Sequence, residues 1–236
     1  EGGKKAFRMG MGAFELMNVT GIPIAVHSSN TLGNELGRFY ATSPMLKSQM
    51  DKKVNWDLSG KVDESKIQAV IDRFYGVCLG VAAALVDEGV ATMEDTDRGA
   101  KIGLRWAMGP FEIMNKIGID KAYSLVSAIT KIYPDFKMPG ILEKQKKAGK
   151  PFSFSYVDLE EKGKIAYITI NRPEAMNSLN EAVFSQLDDR FSKAEKNPEI
   201  KAIVFMGAGK AFVAGADIRY FVEKIKAGRI PDIVNF

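Results

Sequence analysis

Residues 7–22 and 104–119 are one segment written twice at a constant spacing of 97 residues, Arg8 lying over Arg105. Gly12/Gly109, Phe14/Phe111, Glu15/Glu112, Asn18/Asn115 and Gly21/Gly118 coincide in the two copies. Each copy continues into a helix-like stretch and then a proline-started basic segment, at Pro44 and at Pro139. A period of this length means that one supersecondary unit is built twice, so the first two thirds of the chain must be read as a tandem pair.

The second copy can be read locally. Ile67, Val70, Ile71, Phe74, Cys78, Val81 and Leu85 recur at helical spacing, which predicts a buried helix ending at Gly89. Thr92, with Asp95 three residues on, predicts the N-cap of a helix running toward Arg105. Pro110 after Gly109 starts a short helix that Gly118 terminates, and Ala122, Leu125, Val126, Ile129 and Ile132 mark another that stops before Pro134. The unit is all-helical. The first copy contains no equivalent of the Ile67–Leu85 helix, so its apolar face is expected to need cover, and the chain is expected to be a piece of a longer protein.

These residues are similar to the C-terminal helical domain of 3-hydroxyacyl-CoA dehydrogenases, present as two tandem copies. The most specific part is the run from Glu88 through Glu94, Asp95 and Asp97, followed by Met108, Gly109, Pro110, Phe111 and Glu112. The resemblance covers residues 1–150, divided as a first, shortened repeat (1–58) and a second (59–150). It implies a separate NAD-binding domain that carries the catalytic groups and precedes residue 1, since no GxGxxG follows a strand here. The Asn-Arg pair that opens the first helix in that family reads Asp72-Arg73 in this chain, which places the second copy on the structural side.

After the lysine-rich turn at residues 143–151 the period changes. Phe152–Leu159 and Lys164–Ile170 read as strands joined by a turn over Glu160–Gly163. Val183, Leu187, Phe191 and Ala194 give an amphipathic helix, and Ala202–Met206 a further strand before a glycine-rich turn and a new helix. The overall expectation is a multidomain α and α/β chain: an all-helical tandem repeat, then a partial α/β domain over residues 151–236.

The segments Asn171–Leu179 and Gly209–Ile218 together resemble the crotonase (enoyl-CoA hydratase) superfamily. Hydrating a 2-enoyl thioester places negative charge on the thioester oxygen, so two preorganised N–H groups must point at it. The resemblance implies that the Ala216 amide is the first of these donors, at a glycine-rich turn entering a helix. It also implies that Ala175, Met176, Ala214, Asp217 and Ile218 line the path of the CoA thioester. The second donor and the two acid–base carboxylates of hydratases are expected beyond Phe236, and the 236-residue chain alone is expected to be inactive.

Composition narrows the alternatives. The 33 Lys and Arg are dispersed among 29 Asp and Glu, so no basic tract for nucleic acid is visible. A single cysteine and a single histidine exclude an internal disulfide and a multi-histidine metal site. Cytoplasmic residence is expected. No signal peptide is visible, and the longest uninterrupted apolar run, residues 76–86, falls short of a membrane span. His27 is read as a structural or surface residue, Cys78 as a packed small side chain, Glu15 and Glu112 as partners of helix N-termini, and Lys144–Lys150 as a solvated linker.

The expected function is the central part of a bifunctional enzyme. It would hydrate 2-enoyl-CoA to 3-hydroxyacyl-CoA and oxidise that product with NAD to 3-oxoacyl-CoA, with no metal and as a homo-oligomer. The competing expectations are a crotonase-family isomerase or hydrolase fused to the helical domains, and a non-catalytic assembly or binding module.

Overall fold

Two glycines set the geometry of the repeated unit. Gly21 (φ 102°) and Gly118 (φ 90°) each end one helix and begin the next with a positive φ that strains other residues. In the computed structural model, which describes residues 1–231, the chain divides into two units, Glu1–Phe152 and a second that begins at Ser153.

The first unit is all-helical among its described residues. Its first copy holds α1 (Gly2–Phe7), α2 (Ala13–Thr20), α3 (Ile22–Leu36) and α4 (Pro44–Asp51). Its second holds α5 (Glu64–Asp87), α6 (Met93–Gly103), α7 (Pro110–Ile117), α8 (Ile119–Ile132) and α9 (Gly140–Ala148). Thr92 caps α6 through Asp95 N–H at 3.0 Å, as its position in sequence predicts.

The repeat persists in individual bonds. Arg8 and Arg105 both adopt the left-handed conformation (φ 53° and 56°). Glu15 accepts from Gly12 N–H at 3.2 Å and pairs with Lys4 at 2.6 Å; Glu112 accepts from Gly109 N–H at 2.9 Å and pairs with Lys101 at 2.7 Å. These glutamates therefore hold helix N-termini.

Asn18 grips Trp56 through both its N–H (2.8 Å) and its C=O (2.9 Å), and Asn115 grips Phe152 in the same way (2.7 and 2.9 Å). Gln49 donates to the carbonyls of Val54 and Asn55, and Gln145 to those of Lys150 and Pro151. Each copy thus ends in an extended tail clipped back onto its own helices.

That clip corrects the reading of Phe152–Leu159 as a strand. Phe152 spends its main-chain N–H and C=O on Asn115 and sets its ring edge-on to Phe111 at 5.0 Å, so the strand begins only at Val157.

α5 is the helix on which the second copy packs, with Gly76, Leu79, Gly80, Ala82 and Ala83 buried. Alone among the described helices, it is long and apolar enough to cross a membrane; within this unit it lies against α7, α8 and α9. There Phe111, Ile113 and Ile129 are 0%, 3% and 2% exposed, while their counterparts Phe14, Leu16 and Leu32 are 43%, 44% and 42% exposed. No described helix covers that face of the first copy in the way α5 covers the second. The two copies meet where Phe39 stacks on Phe136, ring centroids 4.3 Å apart. Phe39 and Phe136 are equivalent positions in the repeat, and the copies also touch where Phe7 packs on Phe74, Tyr75 and Trp106.

The second unit runs β1 (Val157–Lys162), β2 (Ile165–Ile170), α10 (Glu181–Lys196), β3 (Ala202–Gly207) and α11 (Ile218–Lys226). β1 pairs antiparallel with β2, and β3 joins the far edge of β2 in parallel after the α10 crossover. Val157, Ile168, Ile170 and Val183 form the core between sheet and helix.

The hairpin turn is shorter than expected. Lys162 already pairs with Ile165 across Gly163 and Lys164, with Gly163 at φ 59°. Glu160, Glu161 and Lys162 stay in the strand because an edge strand can point charged side chains to solvent.

Candidate active site

Two loops follow the two parallel strands of the second unit, residues 171–180 after β2 and 208–217 after β3. Crevices outside the carboxyl ends of parallel strands are where α/β folds place their sites.

Asn177 knits the loops together. Its side chain is 0% exposed; Oδ1 accepts from Arg172 N–H at 2.8 Å, and Nδ2 donates to the carbonyls of Ala208 (2.9 Å) and Ala211 (2.7 Å). It sits at φ 55°, a conformation asparagine tolerates better than most residues. Gly207 admits no side chain, since a Cβ would fall 2.4 Å from the carbonyl oxygens of Ala211 and Phe212. The second loop therefore folds tightly over the end of β3.

The loops then join main chain to main chain. Ala214 N–H donates to Met176 O at 3.1 Å, Leu179 N–H to Gly215 O at 2.8 Å, and Asp217 N–H to Leu179 O at 2.8 Å, forming an isolated parallel bridge between Leu179 and Ala216. Gly215 C=O and Ala216 N–H belong to one trans peptide, so they point in opposite directions. With Gly215 O held by Leu179, Ala216 N–H is turned away from the bridge, and among the described residues no backbone acceptor meets it. Gly215 reaches this geometry at φ 97°. An exposed backbone donor of fixed direction at the entry to α11 can stabilise an anionic oxygen.

Around this donor, Ala214, Met176 and Ile218 are exposed, the last two by 62% and 76%, and Ala175 is half-buried. Asp217 is 6% exposed and its carboxylate faces inward, paired with the Arg172 guanidinium at 2.7 Å. Arg172 also donates to Ser178 O at 3.1 Å. Asn177 and Arg172 are the residues that reading the sequence for chemistry passed over. Both lie in the segment Asn171–Leu179 that carries the crotonase resemblance, which marks the loop without assigning either side chain a role.

Elsewhere, Cys78 lies in α5 with burial pushing its thiol up to about 11, which leaves it protonated and unreactive at neutral pH. His27 lies exposed on α3.

Residues 165–236 match the enoyl-CoA hydratase/isomerase family, and residues 70–153 match the 3-hydroxyacyl-CoA dehydrogenase C-terminal domain. The second unit is thus of the crotonase type. In the same chain it follows residues 70–153, which resemble the helical domain of the dehydrogenase type.

Over 68 residues the chain is 48% identical to the short-chain-enoyl-CoA hydratase of Clostridium acetobutylicum, covering 28% of this chain and 26% of that protein. It is 38% identical over 78 residues to the probable 3-hydroxyisobutyryl-CoA hydrolase 2 of Arabidopsis thaliana, covering 33% and 21%. A crystal structure of enoyl-CoA hydratase from Thermoplasma volcanium aligns at 42% identity over 28% of this chain and 27% of that one, with a TM-score of 0.27. The chain therefore spans about a quarter of the length of these relatives.

Proposed function

We propose that this chain is part of a bifunctional enzyme in which dehydrogenase-type helical domains precede a hydratase domain. The hydratase converts a 2-enoyl-CoA to a 3-hydroxyacyl-CoA, which the dehydrogenase oxidises with NAD to the 3-oxoacyl-CoA. The observation that carries the reading is the Ala216 N–H, held free and aimed outward in a loop of the crotonase type.

As water adds to the enoyl thioester, charge accumulates on the thioester oxygen, and this amide is the donor that receives it, assisted by the N-terminus of α11. Exposed Met176, Ala214 and Ile218, together with Ala175, line the approach of the CoA thioester. NAD supplies the hydride acceptor for the oxidation. No GxGxxG turn follows a strand in this chain, so no residue here is assigned to NAD. The two activities form consecutive steps, because the product of the first is the substrate of the second.

Hydrolase chemistry is the second reading, supported by the match to a protein named as a 3-hydroxyisobutyryl-CoA hydrolase. Both chemistries put charge on the same thioester oxygen and would use the same donor.

Substitution at position 216 of the intact enzyme tests the proposal. Ala216→Pro removes the donor and is expected to lower hydratase turnover about 100-fold or more. Ala216→Gly keeps the amide and should cost far less. Dehydrogenase activity should survive both, which separates a local loss from misfolding. Parental hydration by Ala216→Pro would refute the role, and hydrolysis of a 3-hydroxyacyl-CoA in place of enoyl hydration would favour the second reading.

A further inference from the structure

The geometry points to Arg172 as the positioning residue of the oxyanion donor: its guanidinium clamps the loop bridge that aims the Ala216 N–H. The inference rests on the assignment of Ala216 as that donor and adds what holds it in place.

The direction of the Ala216 N–H is set by one hydrogen bond on the other side of the same peptide, Leu179 N–H to Gly215 O. Any movement of Leu179 relative to Gly215 therefore rotates the donor. Arg172 spans this bond from both flanks. One arm of the guanidinium donates to Ser178 O (3.1 Å), the residue before Leu179; the other pairs with the Asp217 carboxylate (2.7 Å), the residue after Ala216. Arg172 is itself fixed, its N–H held by buried Asn177 and its guanidinium 5.5 Å from the centroid of the Tyr156 ring.

The pair is largely out of water, with side-chain exposures of 12% for Arg172 and 7% for Asp217. A buried ion pair is a poor source of net stability, because desolvation offsets most of the attraction and an apolar pair of equal volume serves as well. What it supplies is direction, and a planar fork supplies more of it than a point charge. A misplacement of the reacting geometry on the order of 1 Å costs catalysis heavily without abolishing binding.

The test uses the intact enzyme, with Arg172→Lys to keep the charge while losing the fork, and Asp217→Asn to keep the shape while losing the charge. For each, kcat and KM for enoyl-CoA hydration are measured, together with the infrared carbonyl stretch of a bound enoyl thioester labelled with ¹³C at C1. Hydrogen bonding to the carbonyl lowers that frequency, so it reports donor alignment directly.

Both variants should lose about 10- to 100-fold in kcat, with KM nearly unchanged and the bound stretch moved back toward its value in water. Circular dichroism checks that they fold. If one variant does not fold, the other decides.

Retention of kcat and of the shifted stretch in a folded variant, while Ala216→Pro loses both, would overturn the positioning role and leave Ala216 as donor. A bound stretch that Ala216→Pro does not move would overturn the donor assignment, and the positioning role with it. A rise in KM at constant kcat and unchanged stretch would also overturn the proposal, since it marks a binding contact.

Discussion

The ionisation of Asp97 is coupled to the fold. Its side chain is 2% exposed and takes the N–H groups of Phe111 (2.7 Å) and Glu112 (2.9 Å), so it caps the start of α7. Burial pushes its carboxyl up to about 6 despite those two donors. Because the folded value lies above the unfolded one, the folded state holds more protons between about pH 4 and pH 6, and stability falls as pH rises through that window. The full loss is about 2–3 kcal/mol for a shift of this size. Urea melts at pH 4 and pH 7 should therefore show the wild type losing more stability than Asp97→Asn, which has no carboxylate to titrate. Equal losses in the two proteins would refute the coupling. At this scale, caps that act within three or four residues were legible: Thr92, Glu15 and Glu112 declare themselves by spacing. Asn18, Asn115 and Asn177 were not, because the main-chain groups that Asn18 and Asn115 hold, and the carbonyls that Asn177 holds, lie 31 to 38 residues away, and no local pattern records a contact made by the fold.

Among elements, α5 depends on small residues at its closest approach to α8. A Cβ on Gly76 would lie 2.7 Å from Leu125 O and 2.8 Å from Ile129 Cγ1. Gly76→Ala should therefore push the helices apart and cost about 1–3 kcal/mol. Gly99 in α6 is the contrasting case, with nothing within 4 Å of its Cβ position. Gly99→Ala should stabilise by about 0.5–1 kcal/mol through helix propensity alone. Thermal melts of the two variants should move in opposite directions; movement in the same direction would show that helix propensity outweighs the contact at Gly76. Helices α5 to α8 were readable from period and punctuation because each is amphipathic and ends at glycine or before proline. β1 was misplaced because Phe152 reads as a strand residue by type, whereas a hydrogen-bonded clip to α7 decides its conformation.

At the scale of the whole molecule, the change from helical to alternating period marked the passage from all-α to α/β, and the architecture follows it. A chain of two units should unfold in two parts. Asn177→Ala would leave two carbonyls and the Arg172 N–H without their buried partner, lowering the stability of the second unit by about 1–3 kcal/mol per group left unsatisfied. Amide hydrogen exchange should then quicken in β1 to β3 and α10 while α5 and α8 keep their protection. Quickening in both units would mean that they unfold as one.

The paired clips carry a consequence for how such a molecule can diverge. Asn18 and Asn115 bind only the main chain of the residues they hold, and so do Gln49 and Gln145. The hydrogen bonds themselves do not specify the side chain at the held position, and the two copies differ there, tryptophan at 56 and phenylalanine at 152, each ring packed on the equivalent phenylalanine, Phe14 or Phe111. A duplicated unit wired in this way keeps its chain path while its surfaces drift, so one copy can be recruited to a new neighbour without relearning how to fold.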